Sequence, residues 1–255
     1  MRVLLAAFRL QLGLTRGRPD DVLVLAMIPL FTVVFLSVVQ AAGRPDLAGH
    51  AVMGPVLIAL WGTSITIAGE IVVTDRGMGV LEGVIAAPAR LPIVVVGRVI
   101  AVTVLGLIGY LEAWLVARFG FGLVIPIEHP VAFGATLLLT GMAMACTALL
   151  MAAVFVLGRS ARPFQRALTY PFYVLGGVVA PVELLPGWVQ PATRVVFLSW
   201  SSAMLRDSLA PGPIRDATTR LTMIALLGLA AFAGGWWLLR KTVDRVRLTG
   251  TMTYA

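Results

Sequence analysis

Long apolar stretches separated by short polar and charged connections set the pattern along the chain. A helix that crosses a membrane needs about 20 mainly apolar residues. Six stretches reach or approach that length: 22–42, 53–73, 93–116, 132–157, 167–182 and 221–239. The fifth is the shortest, and at 1.5 Å per residue it spans only ~24 Å of a ~30 Å hydrocarbon core. Pro181, Pro186 and Pro191 stop it, because proline lacks an amide donor and clashes inside a helix. Leu184, Leu185, Trp188 and Val189 then add apolar surface without the length for a crossing. That pattern predicts a re-entrant or interfacial hairpin on the outer side, buried against protein because lipid cannot satisfy irregular backbone. Trp188 and Trp200 suit the membrane interface. Residues 201–220 read as an exposed outer connection, with Pro211, Gly212 and Pro213 as a turn.

Two amphipathic segments lie outside the spans. In residues 1–18, Arg2, Arg9 and Arg16 recur every seven residues on one helix face, and Val3, Ala7, Leu10 and Leu14 fall on the other. A basic face opposite an apolar one predicts a helix lying on the membrane surface; a simple basic tail is the plainer alternative. Between the second and third spans, Val80, Leu81, Val84 and Ile85 keep helical spacing among charged residues, which predicts a short cytoplasmic helix ending before Pro88.

Charge fixes the orientation. Fourteen of the 20 Lys and Arg residues fall at the N-terminus, after the second span (with Arg98 just inside the third), after the fourth span, and in the C-terminal tail; six fall on the other side. Basic connections stay in the cytoplasm, so both termini are expected there, as an even number of spans requires.

Composition agrees with the pattern. Hydrophobic residues make up 59% and charged residues 13%, with mean hydropathy +0.96, whereas a soluble domain carries about 25% charged residues. The net charge of +8 is explained by topology, so no nucleic acid is expected as a partner. Cys146 stands alone in an apolar run and reads as a packing residue. His50 and His129 both fall in expected connections, and no metal site is expected. The arginine-interrupted N-terminus does not read as a cleaved signal peptide.

Polar residues inside the spans are few. Thr63, Thr66 and Glu70 share a face of the second span, which is either the lining of a substrate path or a set of helix–helix hydrogen bonds. Glu112 lies inside the outer end of the third span, flanked by Leu111 and Ala113. It is either an outer-gate carboxylate or the partner of Arg118 or Arg194 near the interface. Gly141 and Ala145 favour close helix packing.

Two stretches carry a family resemblance over nearly the whole chain. One is Glu70-Ile-Val-Val-Thr-Asp-Arg-Gly-Met-Gly-Val-Leu-Glu-Gly-Val-Ile-Ala-Ala-Pro88; the other is Gly176-Gly177 to Pro181 followed by Leu185-Pro186-Gly187-Trp188. In this order the chain resembles the membrane subunit of type 2 ABC transporters, similar to daunorubicin-resistance-type permeases. It departs from the family where Val80 replaces a small polar residue and where 197–207 lacks the usual proline.

The resemblance implies an all-α integral membrane protein forming a single permease domain over 1–255. It has six transmembrane helices, an interfacial helix at 1–18, a coupling segment at 74–92, and an outer hairpin and loop at 183–220. It implies a membrane lipid environment, a second permease chain (the same or related), and two copies of a cytoplasmic ATPase. ATP and magnesium would be bound by that ATPase, and no cofactor by this chain, which lacks the GxxxxGK[ST] phosphate loop. Leu81, Val84 and Ile85 would anchor the coupling segment in the ATPase, with Asp75, Arg76, Glu82 and Arg90 fixing register. Glu112 and Trp188 would belong to an outer gate. The implied setting is a bacterial plasma membrane and the implied cargo a hydrophobic drug, a lipid or a glycan. An ATP-independent secondary transporter or channel is the alternative. An intramembrane enzyme is disfavoured because GxSxG is absent and both histidines lie off the spans.

Overall fold

A computed structural model describes residues 2–17, 19–43, 47–65, 71, 75, 79, 91–157, 161–179 and 182–249. Among these residues every regular element is a helix, with no strand. The helices are α1 (Arg2–Arg16), α2 (Pro19–Ala41), α3 (Ala48–Thr63), α4 (Leu91–Leu115), α5 (Pro130–Leu157), α6 (Ala161–Leu175), α7 (Gln190–Thr193), α8 (Phe197–Asp207) and α9 (Ala217–Thr249). A π-helical turn, Val116–Gly120, extends α4.

Three described helices are long and apolar enough to cross a membrane: Pro92–Gly120, Pro130–Val154 and Ala217–Thr242. Shorter apolar stretches, Ala26–Ala41 and Ala51–Thr63, lie in α2 and α3. Outward faces carry large apolar side chains, among them Leu30, Ile108, Leu138 and Leu229. An apolar exterior of this extent needs lipid or protein against it. Several polar side chains within the helices are satisfied locally. The hydroxyls of Thr32, Thr103, Thr136 and Thr147 each donate to the carbonyl four residues earlier, at 2.7–3.0 Å.

Helix α4 is the hub of the bundle, because glycines let neighbours approach it. A Cβ at Gly97 would meet the Leu4 carbonyl oxygen of α1 at 2.6 Å, and one at Gly106 would meet Leu60 of α3 at 2.5 Å. Gly109 faces Ile28 of α2 in the same way. Gly141 of α5 in turn receives Leu107 of α4. Helix α9 lies along α5, with Gly228 against Ala143 and Gly235 against Leu150. In lipid, where helices gain little from hiding apolar surface from one another, such close backbone packing holds a bundle together.

The expected fifth span is corrected in position and in cause. It runs from Ala161 to Leu175, and glycine ends it well before Pro181. Gly177 adopts φ +61°, the Gly177 amide donates to Val174, and the Val178 amide donates to Tyr173. This is a Schellman turn, which a left-handed glycine closes without steric cost. Fifteen residues cover roughly 22 Å, short of a full crossing. Trp61 of α3 stacks on Phe172 at 4.3 Å between ring centroids, and the Tyr173 hydroxyl donates to the Ile58 carbonyl at 3.0 Å, fixing α6 to α3.

The expected exposed connection at 201–220 is corrected over its first part. Residues 197–207 form α8, which packs against α3, α5 and α9 and buries Leu198, Ser201, Ser202, Met204 and Leu205. From Ala210 onward the connection is largely exposed, as expected, and His129 bonds the Gly212 carbonyl there at 2.7 Å. His50, expected in a connection, belongs to α3.

Candidate functional site

One end of α4 carries a buried charged network. Arg98 is 3% exposed, and a guanidinium out of water must find acceptors or leave charge uncompensated. Two sequence-distant residues supply them. Arg98 Nη1 donates to Asp75 Oδ2 at 2.6 Å, forming a salt bridge, and Arg98 Nε donates to Gln11 Oε1 at 2.8 Å. Gln11 Nε2 donates to Thr15 Oγ1 at 3.3 Å. Ala7, Gln11 and Thr15 are one helical face of α1, and that face is buried against α4. Gly97 makes the approach possible, since any Cβ there would strike Leu4 and Ala7.

The network joins three pieces of chain: the N-terminal helix, the connector after α3 and the start of α4. Asp75 is helical and buried, with its carboxylate turned toward Arg98. Its observed contacts tie the connector to the membrane helices. Gln11 and Arg98 were not singled out from the sequence. Arg98 was counted only as a topology signal, although a lone arginine several residues inside an apolar span already demands a buried partner.

Other residues singled out from the sequence scatter around this centre. Arg76, Leu81, Glu82, Val84, Ile85 and Arg90 lie outside the described residues, as do Thr66 and Glu70. Gly79 forms a turn at φ +69° with open space around it. Arg2, Arg9 and Arg16 are all exposed on α1. So are Val3 and Leu10 of the expected apolar face, whereas Ala7 is buried. Thr63 is 1% exposed, donates to the Leu60 carbonyl at 3.0 Å and sits in the α3–α4 contact beside Gly106. Glu112 Oε2 is buried without a hydrogen-bond partner, and no ion pair joins Glu112 to Arg118 or Arg194. Trp188 stands 83% exposed beyond the Schellman turn, near the similarly exposed Leu184.

The comparison with protein families settles the class. The model for the ABC-2 type transporter membrane domain matches residues 14–210. The chain belongs to the ABC-2 type transporter family. No curated protein matches it. The matched region takes in α2 through α8, and with them Asp75, Arg98 and the Schellman turn. An ABC-2 protein is the multi-pass membrane component of a transporter and not itself the catalytic part. The family normally works with an ATPase subunit. In this ABC-2 permease, the polar centre lies in the segment that leaves the second span and enters α4.

Proposed function

We propose that this permease is the membrane subunit of an ATP-driven exporter in a bacterial plasma membrane, with both termini in the cytoplasm. A separate ATPase, in two copies, binds ATP and magnesium. A second permease chain completes the transport path. The cargo is a hydrophobic drug, a lipid or a glycan, and the apolar character of the chain favours the hydrophobic molecules.

The observation that carries this reading is the Gln11–Arg98–Asp75 network. An ATPase can move a permease only through a segment rigidly tied to the membrane helices. Asp75 provides that tie at the head of the 74–92 segment, and Arg98 passes a displacement directly to α4. Beyond Asp75, Leu81, Val84 and Ile85 present the apolar anchors of a helix seated in a groove of the ATPase, with Arg76, Glu82 and Arg90 fixing register. The glycine-spaced contacts of α4 with α1, α2 and α3 spread the displacement through the bundle. Glu112 and Trp188 act at the outer end as the gate, and Thr66 and Glu70 line the path.

The test is transport in sealed vesicles holding the permease and its ATPase. ATP-dependent movement of a hydrophobic dye, abolished when the ATPase is omitted, is the expected result. Movement driven by a proton or sodium gradient without ATP would contradict the proposal and support a secondary transporter.

A further inference from the structure

Between α2, α3 and the break after α6 lies a cavity of about 670 Å³, the size of a pocket for one drug-sized molecule. Val34 and Val38 of α2, Ala51 and Leu57 of α3, and Val178 make an almost wholly apolar wall. Val34 and Val38 are 49% and 63% exposed, so the cavity is open on the α2 side.

One end of this apolar space is different: Ser202 and Arg206 of α8 close it. The Schellman turn fixes the orientation of the guanidinium. Arg206 Nη1 donates to the Gly177 carbonyl at 3.0 Å, Arg206 Nη2 donates to Ser202 Oγ at 3.3 Å, and Ser202 Oγ donates to the Gly176 carbonyl at 2.6 Å. A guanidinium has five N–H donors, so these two bonds leave three for another acceptor. Two carboxylates, those of Glu183 and Asp207, act on Arg206 electrostatically. Asp207 is paired with Arg220, Glu183 is exposed, and among the described residues neither lies within ion-pair distance of Arg206. A half-buried cation at the end of an apolar chamber is completed by an anion brought in with a ligand.

We propose that the cavity binds an acidic amphiphile, its single apolar body against α2 and α3 and its carboxylate or phosphate on Arg206. Binding needs neither ATP nor the ATPase, so the site stands or falls separately from the exporter reading.

Photo-crosslinking in lipid nanodiscs tests it, with diazirine-bearing palmitate as the probe and the matching diazirine-bearing alcohol as the control. Palmitate is expected to label peptides covering 34–39 and 51–57 over the alcohol by about tenfold, the ratio one charge-assisted hydrogen bond supplies. Arg206→Gln erases that preference, and Arg206→Lys keeps part of it. Val38→Trp, a change at an already exposed position, lowers labelling by both probes and keeps the test open should Arg206→Gln fold poorly. If phosphatidylglycerol in the disc suppresses the labelling, the occupant is a bilayer lipid; if labelling persists, it is a free amphiphile. Equal labelling by acid and alcohol in the unaltered protein, or an unchanged acid preference in Arg206→Gln, overturns the proposal.

Discussion

Arg98 owes its position to two partners that lie 87 and 23 residues away, Gln11 and Asp75. Removing one member of a buried pair leaves the other charge uncompensated, which typically costs about 3–5 kcal/mol. Asp75→Ala should therefore lower the thermal unfolding temperature in detergent far more than Asp75→Asn combined with Arg98→Met, which removes both charges. Equal losses from the single and double changes would mean the pair is not coupled. A second residue-scale prediction concerns backbone. Gly43 and Gly177 both have positive φ, at +64° and +61°. A Cβ at Gly43 meets nothing within 4 Å, whereas one at Gly177 meets Val182 at 2.8 Å. Gly43→Ala pays only the left-handed backbone penalty of roughly 1–2 kcal/mol. Gly177→Ala adds the clash, and should reduce folded yield on size-exclusion chromatography well below that of Gly43→Ala. At this scale the sequence reveals residue types but not pairings. Arg98 is conspicuous as a charge in an apolar run, yet nothing in its spacing names Gln11 or Asp75.

Helices that bury or expose uniformly apolar surface are the easiest to read, and α2, α4 and α5 fall within a few residues of the stretches that length and hydropathy predict. The difficulty begins where the pattern mixes. Helix α8 is rich in serine and was read as an exposed connection, but Phe197, Leu198, Ser201, Ser202 and Leu205 recur on one helical face. Serine can occupy that face where its hydroxyl is satisfied within the fold, as that of Ser202 is by the Gly176 carbonyl; the Ser201 hydroxyl is buried there without a hydrogen-bond partner. Pro181, Pro186 and Pro191 are the conspicuous stops after α6, but Gly176 and Gly177 come first, and Gly177 is the natural residue for a left-handed cap. The first helix is amphipathic, and its buried face holds Gln11 and Thr15 beside Ala7, because the partner surface on α4 is itself polar at Arg98. One prediction belongs to this scale. Gly97→Ile inserts a branched side chain where a Cβ alone would strike Leu4 and Ala7, and should lever α1 away from α4. Hydrogen exchange of the α1 amides should accelerate while α5 and α9 stay protected. Unchanged protection of α1 would show that the helix is held by something other than this contact.

As a whole, the molecule is a bundle of apolar helices with a polar knot at one end of α4 and an arginine-capped apolar cavity against α2 and α3. Its exposed apolar faces need lipid or protein against them, and its polar knot includes Asp75 of the connector after α3. We propose that this ABC-2 permease is driven through the 74–92 segment by a separate subunit. The most direct measurement is affinity purification of the tagged chain from its native host under gentle detergent, followed by identification of co-purifying proteins and assay of ATP hydrolysis. The expected result is a stoichiometric soluble ATPase with vanadate-sensitive activity, lost on Leu81→Asp while the permease still folds. A permease that purifies alone under conditions that preserve other membrane complexes, and moves its cargo without ATP, would contradict it.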